Sequence, residues 1–212
     1  MNSALAAAQI KRGRKFDQVV KGARAVFMRD GFERANVDDI AAEASVSKAT
    51  LYSYFSDKRM LFIEVARQES QRQADEAEAL IDLCAHPECV LPIAAHRIID
   101  FFSSEFGRAV FRICITDIQG FPDLGQQFYA SGPAIIRDRL AAYLTGAISR
   151  GEVVIEDVYL AADQFMALCK SDILGAVYLG TQYDASEAHR NRVAEGAVSM
   201  FMARYGVNDH GR

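Results

Sequence analysis

Asn36-Val37-Asp38-Asp39-Ile40-Ala41-Ala42-Glu43-Ala44-Ser45-Val46-Ser47-Lys48-Ala49-Thr50-Leu51-Tyr52-Ser53-Tyr54-Phe55 is the stretch whose spacing decides the fold. Val37, Ile40, Ala41 and Ala44 recur at helical intervals, with Asn36 placed to cap the first turn and Asp39 in the capping-box position. After a short turn, Ser47 opens a further helix in which Leu51 and Phe55 point the same way. Two short helices joined in this manner and braced by a preceding helix describe a helix-turn-helix. The brace is an amphipathic helix over residues 14–30, with Phe16, Val19, Val20, Ala23, Val26 and Phe27 on one face and Gly31 placed to end it as a left-handed cap. Ser56 is expected to cap a fourth helix that starts at Asp57, carries Leu61, Phe62, Val65 and Ala66 inward, and runs to about Leu83.

Turning Leu51 and Phe55 toward the core puts Ala49 and Ser53 on the opposite side of the third helix. Thr50 and Tyr52 flank them and Lys48 sits at the helix start. Small and hydroxyl-bearing residues on a free face let a helix approach the major groove closely. Ser47, Thr50, Tyr52 and Tyr54 supply neutral donors for phosphate, and the helix N-terminus itself attracts one. The bland alternative is a capped surface helix with no ligand, which leaves two exposed tyrosines on a short helix unexplained.

The charge distribution agrees with a polyanion at one end. The chain of 212 residues has a net charge of −4. Residues 1–60 nevertheless carry 11 Lys and Arg against 7 Asp and Glu, and residues 61–212 carry 13 against 21. A basic head on an acidic body points to nucleic acid at the head alone, although solvated basic faces are also common. The segment Lys11 to Lys15 reads as an arm for phosphates or the minor groove, with a solvated tail as the alternative.

Beyond the head the pattern stays helical. Helices are expected near 91–106, 108–118, 122–149 (with a break possible at Gly132-Pro133), 157–180 and 187–205, with Pro92, Pro122 and Pro133 in first turns. The fold class is therefore all-α: an N-terminal three-helix helix-turn-helix domain over 1–60 and a larger helical ligand-binding and dimerisation domain over 61–212, about nine helices in all. No run reaches the roughly 20 apolar residues of a membrane span. Four irregularly spaced cysteines do not make a disulfide framework, so a cytoplasmic protein with reduced thiols is expected.

The residues Phe27-Met28-Arg29-Asp30-Gly31-Phe32, Val37-Asp38-Asp39-Ile40-Ala41 and Val46-Ser47-Lys48-Ala49-Thr50-Leu51-Tyr52-Ser53-Tyr54-Phe55, with correct spacing through Lys58 and Leu61, resemble the TetR family of bacterial transcriptional regulators. Phe121-Pro122-Asp123-Leu124, Phe128-Tyr129, Gly132-Pro133 and Arg150-Gly151-Glu152-Val153 are similar to its AefR-like subgroup. The resemblance implies DNA contacts at Asn36, Ser47, Lys48, Ala49, Thr50, Tyr52, Tyr54 and Lys58, to which the exposed-face argument adds Ser53. Two departures stand out. Ser45 occupies a turn position where the family usually has Gly, which implies strain or another turn type. Ala49 replaces a frequent Gly and presents a methyl that suits a thymine C5-methyl.

The resemblance further implies a homodimeric repressor on a palindromic operator, released by a small, largely apolar effector. Dimer contacts are expected on the last two long helices, at Phe165, Leu168, Asp172, Ile173, Ala176, Val177, Ala197 and Phe201, with ordinary core packing as the alternative. An effector pocket is expected among His96, Phe102, Phe106, Phe111, Arg112, Ile115, Phe128 and Tyr129, with Asp117 as a further polar candidate, although aromatics at helical spacing are more often simple core. Cys84-Ala85-His86-Pro87-Glu88-Cys89 lacks a fourth ligand nearby and zinc-finger spacing; a helix-linking loop is favoured there over a metal site or a redox thiol pair. No catalytic motif is found, no metal or cofactor is implied, and no membrane partner. The protein reads as a regulator and not an enzyme; the rival is a helical ligand-binding or interaction module whose head no longer reads DNA.

Overall fold

The computed structural model describes residues 13–80, 84–116, 122–179 and 181–207. Among these residues the chain forms eleven helices: α1 (Arg14–Arg34), α2 (Val37–Glu43), α3 (Lys48–Tyr54), α4 (Lys58–Leu80), α5 (Pro87–Ser103), α6 (Glu105–Thr116), α7 (Pro122–Ser131), α8 (Pro133–Ser149), α9 (Val158–Cys169), α10 (Ile173–Leu179) and α11 (Glu187–Tyr205). The all-α expectation holds. The described residues form no extended strand, and the one bridge pairs Val153 with Gly206. The chain divides into two compact units between Val65 and Ala66, inside α4.

In the first unit the apolar stripe of α1 is buried as its spacing requires: Phe16, Val19, Val20, Ala23, Val26 and Phe27 are all 2% exposed or less. Ile40 and Ala41 of α2, Leu51 and Phe55 at α3, and Leu61, Phe62 and Val65 of α4 complete this core. The rings interlock, Phe27 on Phe62 edge-on at 4.8 Å and Phe16 on Phe55 at 5.4 Å. Truncating a ring buried to this degree costs about 3–5 kcal/mol. Gly31 breaks the helical path after residue 30, as its position suggested, though not in the αL conformation. At φ 75° and ψ 167° it is extended with the wrong sign of φ for other residues, and it kinks the chain before one last turn to Arg34. That kink brings Phe32 onto Phe62 at 4.9 Å. Gly22 permits another close approach, since a Cβ there would meet the Ala44 backbone nitrogen at 2.7 Å.

The second unit is built round α9, a short helix packed on α5, α8 and α11. Ala161, Ala162, Phe165, Met166 and Cys169 are buried within it, because neighbours cover more than one of its faces. Small residues on α11, Ala194 and Ala197, let the helices approach closely, and Phe201 meets Phe165 edge-on at 5.3 Å. Polar clips fix the ends. The Tyr205 hydroxyl donates to Gln164 Oε1 at 2.5 Å, the Tyr143 hydroxyl to the Ala85 carbonyl at 2.7 Å, and Arg139 pairs with Asp75 at 2.6 Å.

Eleven helices arise where about nine were expected because two long apolar runs are each interrupted. Residues 122–149 break at Gly132-Pro133, where proline supplies no N–H and a Cβ at Gly132 would stand 3.3 Å from Ser70 Oγ. Residues 157–180 break at Lys170-Ser171-Asp172, where the α9 end tightens into i→i+3 bonds. The start of α5 also differs from expectation. His86 caps it and Pro87 takes the first position, so Pro92 lies inside the helix and leaves the Glu88 carbonyl without its usual donor. Ser104 separates α5 from α6: its Oγ accepts from Gly107 N at 2.9 Å and donates to the Phe101 carbonyl at 2.7 Å.

Candidate nucleic-acid interface

The geometry of α2 and α3 follows from caps. Asn36 Oδ1 accepts from Asp39 N at 2.8 Å and its Nδ2 donates to Asp39 Oδ2 at 2.7 Å, a closed reciprocal box. Ser47 Oγ accepts from Thr50 N at 3.1 Å and shares a hydrogen bond with Thr50 Oγ1 at 2.9 Å. Between them, α2 ends in a Schellman motif: Val46 N donates to the Ala41 carbonyl and Ser45 N to the Ala42 carbonyl, both at 3.0 Å. This motif demands a left-handed residue, and Ser45 takes φ 52°, the only positive φ outside glycine among the described residues. The suspected strain is thus located at one residue in an ordinary turn. Gly151, at φ 74°, closes α8 with the same pair of bonds, to the Ile148 and Ala147 carbonyls.

With Leu51 and Phe55 buried, the open face of α3 consists of Lys48, Ala49, Tyr52 and Ser53, and Tyr52 is 50% exposed. Asn36 and Ser47 are exposed at the two caps, while Thr50 is half-buried. Tyr54 is also half-buried, with its ring edge-on to Phe16 at 5.8 Å, so it braces the helix as well as bordering the face. Ser53 Oγ donates back to the Thr50 carbonyl at 2.6 Å. Lys48 Nζ pairs with Asp38 of α2 at 2.5 Å, both side chains exposed.

Lys58 does something the sequence did not suggest. Its Nζ donates to the Phe32 and Ala35 carbonyls, each at 2.9 Å, and lies 4.5 Å from the Phe32 ring centroid. Those are the carbonyls left over at the end of α1, so the ammonium ties that end to the start of α4 and keeps at most one N–H for a phosphate. The helix cap there is Asp57 and not Ser56: Asp57 Oδ1 accepts from Arg59 N at 2.7 Å, and Ser56 Oγ instead faces the Met60 sulfur at 3.6 Å. The Arg59 guanidinium, bonded to both Asp57 oxygens, holds that carboxyl below its ordinary range. Of the basic arm, Lys11 and Arg12 lie outside the described residues; Gly13, Arg14 and Lys15 are exposed.

The residues expected to meet an effector lie in several settings. Phe102 and Phe128 are buried, Phe106 and Phe111 half-buried, Arg112 and Ile115 exposed, and Tyr129 is 48% exposed with its hydroxyl accepting from Arg137 at 3.1 Å. Phe102 meets Phe101 and Phe111 edge-on at 5.2 and 6.0 Å. His96 is occupied elsewhere. Its Nδ1 donates to the Pro92 carbonyl at 2.8 Å and its Nε2 contacts Asn191 Oδ1 at 2.9 Å, clipping α5 to α11. The Pro92 bond, then the Asn191 bond, raises the His96 pKa above its ordinary value. Asp117 lies outside the described residues. Cys84 and Cys89 are exposed, Cys89 in the first turns of α5 and not in a loop; Cys114 and Cys169 are buried, and burial pushes their thiols up to about 11 and about 12. No group of three His, Cys, Asp or Glu among the described residues is placed to hold a metal ion.

The residues expected at a dimer contact lie in several settings. Phe165, Ile173, Ala176, Ala197 and Phe201 are buried inside the single chain, because α9 and α11 pack on each other through them. Leu168 is half-buried, and the side chain of Val177 lies outside what is described. Asp172 Oδ2 is bonded to His189 Nε2, and Arg192 contacts His189 Nδ1 at 2.9 Å. The exposed residues on these helices include Leu160, Gln164 and Ala167 of α9, with Tyr159 and Asp163 beside them, and Gly196, Ser199, Met200 and Ala203 of α11, with Arg192, Glu195 and Arg204 beside them; Leu160 is 51% and Met200 62% exposed.

Residues 90–207 match the family profile described as the AefR-like transcriptional repressor, C-terminal domain, and residues 19–65 match that of bacterial regulatory proteins, tetR family. The chain belongs to the TetR family. It is a transcriptional repressor of the AefR-like kind and not an enzyme. Over 77 residues it is 32% identical to the HTH-type transcriptional repressor AcnR of Corynebacterium diphtheriae, a match spanning 34% of this chain and 40% of the relative. A TetR-family transcriptional regulator from Mesorhizobium loti superposes with a TM-score of 0.77 and 29% identity, covering 92% of this TetR-family chain and 98% of that one. The flavonoid-responsive regulator FrrA superposes at 0.63 with 29% identity over 93% and 100%. No helix among the described residues is long and apolar enough to cross a membrane.

Proposed function

We propose that this repressor binds a two-fold symmetric operator as a homodimer, that α3 enters the major groove through Lys48, Ala49, Tyr52 and Ser53, and that a small apolar effector held in the second unit releases it. The observation that carries the reading is the division of α3 into one buried edge, Leu51 and Phe55, and one open face of small, hydroxyl and cationic side chains held at a capped start. Asn36, Ser47 and Thr50 border that face and suit phosphate contacts. Exposed Leu160, Gln164 and Ala167 of α9 and Gly196, Ser199, Met200 and Ala203 of α11, with Asp163, Glu195 and Arg204 charged beside them, suit a four-helix contact between two copies that sets two α3 helices about one DNA turn, roughly 34 Å, apart. The aromatic cluster of α5 and α6 suits an apolar effector, and the likeness to FrrA, a flavonoid-responsive regulator, supports ligand control.

In vitro selection from a random duplex pool, followed by binding of the winner across salt concentrations, tests this. A palindrome with half-sites about one turn apart is expected. Lys48→Ala with Tyr52→Ala should abolish its recognition while the dimer persists. Enrichment of no site by protein stripped of ligand through refolding would overturn the proposal in favour of a helical module that does not read DNA.

A further inference from the structure

The hydroxyls on α3 are not equivalent, because some of their hydrogens are already spent. Ser53 Oγ donates to the Thr50 carbonyl at 2.6 Å, and a serine has a single hydrogen to give. Its oxygen therefore stands on the exposed side of the helix with lone pairs and nothing left to donate. The bond back to the helix also fixes where that oxygen sits, and an oxygen whose own hydrogen is engaged accepts more strongly. Ser47 and Thr50 differ from it. Their oxygens lie 2.9 Å apart and either can be the donor, so one hydrogen of the pair stays available for a phosphate. Lys48 gives one N–H to Asp38 and keeps the others, and the half-exposed Tyr52 carries a phenol that can give or take.

DNA answers an acceptor in few places. In the major groove the donors are the adenine N6 and cytosine N4 amino groups, whereas guanine and thymine present acceptors there, with the thymine methyl beside them. Phosphate oxygens are acceptors as well and have no hydrogen to offer. We propose that Ser53 is a specificity-determining residue whose Oγ accepts from the exocyclic amino group of one adenine or cytosine in each half-site. This rests on the major-groove reading above and adds the chemistry of one base to it. Ala49 lies one turn earlier on the same open face, about 6 Å along the helix axis. Bases stack about 3.4 Å apart, so the amino group read by Ser53 falls within about two base pairs of the base that meets the Ala49 methyl. Spacing alone places Ser53 on the open face; only the bond to the Thr50 carbonyl tells which way its hydrogen points.

The test uses the full chain and the operator enriched from a random duplex pool. In that duplex each adenine is replaced in turn by purine and each cytosine by pyrimidin-2-one, which takes the amino group out of the groove and keeps the rest of the base. Wild-type affinity is expected to fall about three- to tenfold at one position of each half-site, as one lost hydrogen bond provides. Ser53→Ala, a change at an exposed side chain, should respond to that same replacement by less than about twofold, because its partner atom is already gone. Comparing the two proteins on one duplex cancels whatever the analogue does to base pairing. A parallel series with 7-deazaguanine and 7-deazaadenine removes acceptors instead, and there wild type and Ser53→Ala should respond alike. Equal losses in the two proteins at every amino position, or a response to the 7-deaza bases that depends on Ser53, overturns the proposal and leaves α3 in the groove. A pool from which no operator emerges overturns the groove reading and the proposal together.

Discussion

Replacing Ser45 by glycine should stabilise the DNA-binding unit, and the size of the effect follows from two motifs in the same chain. Both α2 and α8 end in a Schellman turn with the same two hydrogen bonds; one places Ser45 at φ 52° and the other Gly151 at φ 74°. A side-chain-bearing residue in the left-handed region costs roughly 1–2 kcal/mol, from Cβ against the following carbonyl. Glycine removes that term and returns about 0.4–1 kcal/mol through the greater freedom of the unfolded chain. The net gain for Ser45→Gly is therefore about 0.5–1 kcal/mol. Gly151→Ser is the mirror experiment, since a Cβ at Gly151 meets nothing within 4 Å and only the dihedral penalty is added. It should lose a similar amount. Urea unfolding followed by far-UV circular dichroism gives the two free energies, and hydrogen exchange at the Ser45 and Val46 amides tells whether the gain sits at the α2 end. A neutral or destabilising Ser45→Gly beside a costly Gly151→Ser would refute the argument, because the same dihedral would then carry different penalties in the same motif.

Gly22→Ala should cost about 1–3 kcal/mol, since the added methyl collides with the backbone of Ala44 and one helix must move; a urea midpoint unchanged from wild type would count against that contact. Lys58→Met should destabilise the first unit by about 1.5–3 kcal/mol by stripping donors from the Phe32 and Ala35 carbonyls. If that clip is its whole task, the salt slope of DNA binding stays the same, and a fall of about 0.9 would reveal an additional phosphate contact. His96 has its pKa raised in the folded chain, so its contribution is fully present below the ordinary value near 6.5 and fades as pH rises through the folded value. Thermal midpoints should accordingly fall from pH 6 to pH 8.5 by more in wild type than in His96→Gln, and parallel profiles would exclude the histidine as the cause.

The helix-turn-helix was legible because each of its parts is local. Asn36, Ser47, Leu51 and Phe55 announce their roles through spacings of three and four residues, and the structure finds all four where spacing puts them. Lys58 was not legible as a clip, since its partners lie 23 and 26 residues away and become partners only when Gly31 kinks α1. Gly22 escaped notice for the same reason: a glycine within a helix has meaning only beside Ala44. In the body, sequence identified which helices carry apolar residues but not which face each would turn inward. Phe165 and Phe201 are as suitable for a partner copy as for one another, and within one chain they take one another. His96 looked like a ligand group until Asn191, 95 residues on, claimed it.

The pairing of Lys48 with Asp38 bears on how quickly an operator is located. A lysine already neutralised at 2.5 Å has to exchange one anion for another on arriving at a phosphate, so random duplex gains little from it beyond the difference between two exposed ion pairs, each worth about 0–1 kcal/mol. On the proposed reading of the interface, non-cognate stretches gain little from Lys48. A scanning molecule with so mild a grip makes short excursions along the helix axis and frequent jumps, spending its time among many segments instead of lingering on a few. If Lys48 meets a phosphate as proposed, Asp38 is in this sense a brake on idling, and its removal is expected to tighten attachment to any duplex.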